Sequence, residues 1–112
     1  MLDAPNVAVL TRFYSELRGW PVWKQDTGGS ALDLGEGAAY LGNQYNPDYV
    51  RPEWPPVVGP PQMMLHLDFQ VTDLDKAVAH TLSLGAELPD HQPQDNVRVL
   101  LDPAGHPFCL YT

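Results

Sequence analysis

The chain has 112 residues, 44% of them hydrophobic, which is enough for one domain with one sizeable core. Its formal net charge is −8 with only six Lys and Arg residues, so we expect neither nucleic acid nor an anionic membrane as a partner. There is no apolar run of membrane-spanning length and no signal pattern, and the single Cys109 cannot form an internal disulfide. We therefore expect a cytoplasmic protein.

The first half of the chain predicts one helix followed by three strands. Residues 1–3 are too short for a proper strand, and the helix opens at residues 4–6 and ends at Gly19. Its apolar face consists of Val7, Leu10, Phe13, Tyr14 and Leu17. Three β-prone segments follow at residues 20–25, 30–34 and 38–43, and then a proline-rich linker at about residues 45–62, which carries Trp54.

The second half begins with an alternating segment at residues 65–71. One face of this predicted strand is apolar, and the other carries His66, Asp68 and Gln70. An amphipathic helix follows, with Asp73 as its N-cap and Gly85 as its stop, and it is expected to cover the apolar face. A short strand starts at residue 87, and two more strands are predicted at residues 97–101 and 108–112.

The two halves repeat the same order of elements. Gly85 follows Gly19, and Gly105 follows Gly37, at nearly the same interval. We therefore predict an α+β fold of two βαβββ modules, at about residues 1–44 and 63–112, with the first strand of module 1 truncated. The modules should form one domain with a curved, mostly antiparallel sheet around a cleft and with the helices outside.

Several segments resemble one superfamily. They are residues 12–20 (RFYSELRGW), residues 66–71 (HLDFQV), residues 73–75 and residues 102–108 (DPAGHPF). This order of motifs is similar to the vicinal oxygen chelate superfamily, which includes glyoxalase I, bleomycin-resistance proteins and extradiol dioxygenases. The chain most resembles the glyoxalase-like domain group of that superfamily.

The resemblance implies a divalent metal ion held by His and Glu side chains from the first and fourth strands of each module. Of these positions, His66 matches, Cys109 falls where a Glu is expected, and Leu41 lies near the third position. The fourth ligand would precede residue 1. We therefore expect no cofactor and no metal ion in the usual position, although a Cys109 thiolate could add a second ligand to His66.

The polar row of His66, Asp68 and Gln70 is the candidate ligand site, with His66 as a tentative catalytic residue. Two alternatives give these residues no ligand-binding role. His66 could be a cavity histidine that is hydrogen-bonded to Asp68, or all three residues could be solvated strand positions. Cys109 is the next candidate, although a free cysteine is usually a small apolar filler.

Two further ligand-binding candidates lie elsewhere in the chain. Trp54 either covers the cavity or packs the linker down. Arg98 is predicted to face the same side as His66, where it would bind an anionic ligand or pair with Asp68. His80, His91 and His106 are interpreted as turn or surface residues.

The leading hypothesis for function is a protein that binds a small organic ligand in the cleft without the usual metal. The alternative is an enzyme of this superfamily, either a metal-dependent lyase or dioxygenase, or a metal-free isomerase or lyase with His66 as general base. A drug-sequestering protein is a third hypothesis, because the acidic charge would attract cationic drugs.

The truncated first strand also predicts an assembly. Without that strand, the first module would have three strands, an open sheet edge and an uncovered apolar helix face near residues 1–14. A second copy would cover both, so we expect a homodimer unless the start of the chain is misassigned.

Overall fold

The computed structural model describes residues 1–35, 39–59 and 65–112. The chain divides into two compact units, Met1–Tyr49 and Val50–Thr112. The turn predicted at Gly37, the end of the linker at residues 60–62 and the start of the second module at residue 63 lie outside the described residues. Neither described helix combines the length and the apolar character needed to cross a membrane.

The first unit contains a helix on a four-stranded sheet. Its elements are β1 (Leu2–Ala4), α1 (Val7–Arg18), β2 (Val22–Gln25), β3 (Gly29–Asp33) and β4 (Tyr40–Tyr45). The strand order is β1-β4-β3-β2, with β1 parallel to β4 and the other pairs antiparallel.

Helix α1 begins and ends where its sequence predicts. The side chain of Asn6 accepts a hydrogen bond from the backbone N–H of Val9 at 3.2 Å, which satisfies one free donor of the first turn. Gly19 closes the helix at φ 71°, a left-handed conformation that glycine adopts without strain. The apolar face of the helix is buried, including Leu10, Phe13 and Tyr14.

Strand β1 is short, as predicted, but it is present. Its three residues pair with β4 through Leu2 opposite Asn43 and Ala4 opposite Tyr45, and both Leu2 and Ala4 are buried. The first unit therefore has four strands, and the expectation of three is wrong. The expected uncovered face on α1 is also wrong, because three paired residues suffice to place two apolar side chains in the core.

A buried polar cluster ties α1 to its sheet. The hydroxyl oxygens of Thr11 and Ser30 lie 2.7 Å apart, and Asn43 Nδ2 donates to Ser30 Oγ at 3.1 Å. All three residues are buried, and Asn43 Oδ1 has no hydrogen-bond partner among the described residues. The hydrogen bonds fix the rotation of α1 on β3 and β4, since buried polar groups strongly favour being paired.

The second unit contains a helix and a three-stranded sheet. Its elements are β5 (Leu67–Gln70), α2 (Leu74–Ser83), β6 (Val97–Leu101) and β7 (Pro107–Tyr111). The order is β5-β7-β6, with β5 parallel to β7 and β6 antiparallel to it. The α+β class is thus confirmed, with the described strands divided between two sheets.

The strand predicted from residue 87 is reduced to a single bridge. Glu87 and Leu101 exchange two backbone hydrogen bonds at 2.9 Å each. The pairing stops there because Pro89 follows two residues later and has no N–H to donate.

Helix α2 confirms the prediction for residues 73–82. The side chain of Asp73 accepts a hydrogen bond from the backbone N–H of Lys76 at 3.1 Å. Gly85 follows the end of the helix at φ 108°. The helix packs on β6 and β7, with Thr81 buried.

The side chain of Gln92 takes the place of a neighbouring strand at the outer edge of β6. Its Oε1 accepts a hydrogen bond from the backbone N–H of Val99 at 2.8 Å. Its Nε2 donates to the carbonyl oxygens of Val99 and Pro89, at 2.9 Å each. Val99 is buried, so its backbone groups depend on this one amide.

We expect Gln92→Ala to lower the free energy of unfolding by about 1–3 kcal/mol, because it leaves the Val99 N–H unpaired. Denaturant unfolding measures the loss. Gln94→Ala, at an exposed residue of the same loop, is the matched control and should change stability by less than about 0.5 kcal/mol. Equal losses in the two variants would contradict this role of Gln92.

Candidate functional site

The register of the second sheet sets which side chains share a face. Asp68 on β5 lies opposite Cys109 on β7, and Cys109 lies opposite Val99 on β6. Residues opposite each other in register point to the same side of a sheet, so these three share one face. Leu67, Phe69, Phe108 and Leu110 occupy the other face, where the Phe69 and Phe108 rings meet edge to face.

The predicted polar row lies at the start of β5. His66 Nε2 is 3.3 Å from Asp68 Oδ1, and both side chains are about half exposed, at 43% and 53%. Gln70 lies two residues beyond Asp68, opposite Tyr111, and is exposed. His66 and Asp68 are thus in contact and open to solvent.

Cys109 completes a cluster with these two residues. One ligand atom each from His66, Asp68 and Cys109 lies within 4.8 Å of the others. Burial, the negative charge of Asp68 and a hydrogen bond to Asp68 raise the pKa of Cys109 from its ordinary 9.0 to about 11. The thiol is therefore protonated at neutral pH, and it is a poor nucleophile.

The raised pKa predicts how the thiol reacts. Asp68→Asn removes the negative charge, so the pKa of Cys109 should fall, though not fully, because burial is the largest cause. We expect iodoacetamide to alkylate Cys109 several-fold to about tenfold faster at pH 8–9 in this variant than in the wild type. Mass spectrometry of the modified chain follows the rate, since Cys109 is the single cysteine.

Asp75→Asn, on an exposed residue of α2, is the charge-matched control and should leave the alkylation rate unchanged. A rate in Asp68→Asn equal to the wild-type rate would contradict the contact between Asp68 and the thiol.

Arg98 lies outside this cluster. The prediction that it faces the same side as His66 is wrong, because the register of β6 with β7 places it on the other face of the sheet. It lies opposite Leu110, on the face away from Asp68 and Cys109. Its guanidinium donates to the backbone carbonyl oxygens of Gln94, Asp95 and Val97, at 2.9–3.3 Å. Arg98 therefore ties down the loop that enters β6.

Trp54 contacts the loop around residue 91. Its Nε1 donates to the carbonyl oxygen of His91 at 3.3 Å, and the two rings lie 5.9 Å apart between centroids. Through these contacts Trp54 packs the linker against that loop, as in the alternative in which Trp54 packs the linker down.

The sequence analysis missed a buried pair in the turn between β6 and β7. His106 Nδ1 lies 2.8 Å from Asp102 Oδ2, and the exposed fractions of the two side chains are 16% and 0%. Asp102 Oδ1 also accepts the backbone N–H groups of Ala104 and His106. The sequence does carry a signal for this pair: Asp102 precedes His106 by four residues, with Pro103 and Gly105 between them. That pattern is typical of a turn capped by a side chain.

The metal centre implied by the resemblance can be compared with these positions. His66 supplies an imidazole, and Cys109 stands where a carboxylate is expected. Leu2 lies four residues before the N-cap Asn6, and Phe69 lies four residues before the N-cap Asp73. Leu2 pairs with Asn43, and Phe69 pairs with Leu110, so Asn43 in the first unit corresponds to Leu110 in the second.

The counterpart of Cys109 is therefore Gly42, rather than Leu41, and neither residue carries a donor. The residues present therefore do not fit the His and Glu set of that superfamily.

The chain matches the family model described as glyoxalase-like domain over residues 1–111. Among curated proteins, none matches significantly. A glyoxalase/bleomycin resistance protein/dioxygenase family enzyme from Burkholderia phytofirmans has a similar fold, with TM-score 0.73 and 17% identity over 97% of this chain and 91% of that one.

Two further solved structures show the same fold. A glyoxalase family protein from Enterococcus faecalis gives TM-score 0.68 with 24% identity, covering 99% of this chain and 92% of that one. The fosfomycin resistance protein FosX from Mesorhizobium loti gives 0.69 with 13% identity, covering 99% and 86%. Because the family model covers residues 1–111, the chain belongs to the glyoxalase-like domain family.

Proposed function

We propose that the chain binds a small organic ligand on the face of β5 and β7 that carries His66, Asp68 and Cys109, without the usual metal centre of its superfamily. The observation that carries this proposal is the cluster itself. Three polar groups of different chemistry converge within 4.8 Å on a partly exposed face, while the other face of the same strands is buried. Convergent polar groups on a rigid apolar support are typical of small-molecule sites.

The contacts suggest a role for each group. Asp68 can only accept hydrogen bonds when ionised, so His66 Nε2 would carry the proton between them and Nδ1 would accept from a ligand. The protonated thiol of Cys109 is a weak donor. The site would therefore favour a ligand that donates hydrogen bonds or carries positive charge, in keeping with the net charge of −8.

Ligand-observed NMR with spermidine, arginine and catechol tests this proposal. We expect saturation transfer to at least one compound in the wild type, and a much weaker transfer in His66→Ala and Asp68→Ala. His80→Ala, on the exposed face of α2, is the control and should behave as the wild type. Absence of transfer to all three compounds, or equal transfer in every variant, would count against the proposal.

A second candidate is an enzyme that uses His66 as general base, favoured by the contact between His66 and Asp68. A carboxylate beside an imidazole fixes the orientation of the ring, as in many general-base catalysts. The probe is the hemithioacetal of methylglyoxal and glutathione, assayed in chelator. Turnover that disappears in His66→Ala and survives in His80→Ala would support the enzyme, whereas no turnover in the wild type would contradict it for this substrate.

We also propose a homodimer with its interface near residues 1–14. The support is now the sheet edge at β1, since α1 is already covered within the chain. Edge strands carry unpaired backbone groups that recruit a second strand. Light scattering at micromolar concentration should give twice the chain mass of 12.4 kDa, and a mass of 12.4 kDa would contradict the dimer.

A further inference from the structure

A row of hydrogen-bond acceptors runs along β5 on the face that carries Asp68. Asp68 and Gln70 are both exposed and lie two residues apart, opposite Cys109 and Tyr111 of β7. We infer that this row binds a linear aliphatic diamine or polyamine, with one ammonium group at Asp68 and the next at Gln70. The inference rests on the proposed function and deepens it, because it names the class of ligand at that site.

The spacing of the row matches the nitrogen spacing of such an amine. A strand rises about 3.3 Å per residue, so side chains two residues apart on one face stand about 6.5 Å apart. In an extended aliphatic chain, bonds of about 1.5 Å that meet at about 111° advance about 1.25 Å each. The five bonds between the nitrogens of 1,4-diaminobutane therefore span about 6 Å, so the extended molecule can lie parallel to β5 with one nitrogen at each residue.

Asp68 receives the first ammonium group. Its side chain is 53% exposed, it contacts His66 Nε2 at 3.3 Å, and it forms a hydrogen bond with Cys109. An ionised carboxylate offers about four acceptor positions, so about two remain for the N–H donors of an ammonium group. Hydrogen bonds between two charged groups are roughly twice as strong as those between neutral groups, so this contact supplies most of the affinity.

Gln70 and Tyr111 receive the second ammonium group. The side-chain oxygen of Gln70 is a neutral acceptor. Tyr111 lies opposite Gln70 in register, and neighbouring strands are about 4.8 Å apart, so the two side chains are neighbours on one face. The face of an aromatic ring attracts an ammonium cation. The row therefore combines a charged acceptor with a neutral acceptor beside an aromatic ring, and a ligand needs two separated cations to use both.

This arrangement favours a linear amine over arginine and catechol. Arginine carries a carboxylate beside one of its two positive groups, and the formal net charge of −8 disfavours that carboxylate. The two hydroxyl groups of catechol are adjacent on one ring, so they cannot donate to Asp68 and Gln70 together. A diamine brings two positive charges, no negative charge and the required separation.

Amide NMR titrations of the full chain with 1,4-diaminobutane and with n-butylamine, at equal ionic strength, test the inference. The second amine has the same carbon chain with one nitrogen, so it keeps the contact with Asp68 and lacks the contact with Gln70. We expect Gln70→Ala to weaken 1,4-diaminobutane binding about three- to tenfold and to leave n-butylamine binding unchanged. Glutamine and alanine are both neutral, so the long-range attraction of the net charge is the same in both proteins.

Asp68→Asn should weaken the binding of both amines by about tenfold. Asp48→Asn changes the net charge equally at an exposed residue of the first unit, and it should leave both affinities within about twofold of the wild type. Gln94→Ala, at an exposed loop residue, is the matched control for Gln70→Ala and should leave both affinities unchanged.

Three results would overturn the inference. Gln70→Ala could change the binding of both amines equally, Asp68→Asn could weaken binding no more than Asp48→Asn, or arginine or catechol could perturb the amides of residues 66–70 while 1,4-diaminobutane and spermidine do not. The third result would leave the proposed function standing and remove only the class of ligand. If none of the four compounds binds, both proposals fail. Circular dichroism of each variant checks that these substitutions of exposed side chains leave the fold intact.

Discussion

We expect Asp102→Ala to lower the free energy of unfolding by about 3–5 kcal/mol, a large fraction of the stability of a chain this size. The Asp102 side chain has no exposed surface. It accepts hydrogen bonds from the backbone N–H of Ala104 at 2.9 Å and of His106 at 3.0 Å, and it contacts His106 Nδ1 at 2.8 Å. Alanine removes all three of these contacts from the turn at once, and each lost hydrogen bond to a buried charged group costs about 1–3 kcal/mol.

Denaturant unfolding measures this loss. Asp26→Ala is the matched control, because Asp26 also accepts two backbone N–H groups, from Gly28 and Gly29, but is exposed. Water can replace the lost partner there, so we expect a change of about 0.5–1 kcal/mol. A loss in Asp102→Ala no larger than that in Asp26→Ala would show that the turn does not depend on the buried carboxylate.

We expect Phe108→Ala to cost about 3–5 kcal/mol, through lost burial and the cavity that remains. Phe108 is fully buried on β7, opposite Leu67 on one side and Leu100 on the other. Its ring also meets that of Phe69, with centroids 6.1 Å apart. The residue therefore joins the three strands that position Cys109, the next residue in the chain.

Leu82→Ala is the control for this loss, because Leu82 lies on α2 and is 40% exposed. It should cost less than about 1 kcal/mol. Comparable losses in the two variants, measured by denaturant unfolding, would contradict the placement of Phe108 at the centre of the second sheet.

Local patterns suffice to predict most elements of this fold. Asn6 and Asp73 cap their helices, Gly19 and Gly85 end them, and the predicted strand at residues 97–101 coincides with β6. The presence of β1 could not be predicted, because three residues are too few to show the alternation of apolar and polar side chains that indicates a strand. It forms because its pairing with β4 places Leu2 and Ala4 in the core.

The side on which Arg98 lies could not be predicted from alternation alone. Val99, Leu100 and Leu101 are consecutive and all buried, so β6 is covered on both faces. Alternation along β6 therefore separates its side chains into two faces, but it does not show which of these faces is the one that carries Asp68. The register with β7 decides that, and register between segments distant in the chain is a tertiary property.

The candidate site was predictable only in part, for the same reason. His66 and Asp68 are two residues apart, so a strand pattern already puts them on one face. Cys109 joins them through the parallel pairing of β5 with β7. The buried contact between His106 and Asp102 depends on the packing around the turn, where Ala104 and Gly105 are also buried, and the polar sequence of that turn predicts exposure instead.

The most direct test of the proposed site is backbone amide NMR of the full chain, titrated with whichever of spermidine, arginine or catechol binds. The account predicts that the perturbed amides cluster at residues 66–70 and 107–111, and that His66→Ala removes these shifts. Shifts confined to residues 1–49 would contradict it, for example around the cavity of about 680 Å³ lined by residues such as Pro5, Gln25 and Tyr45.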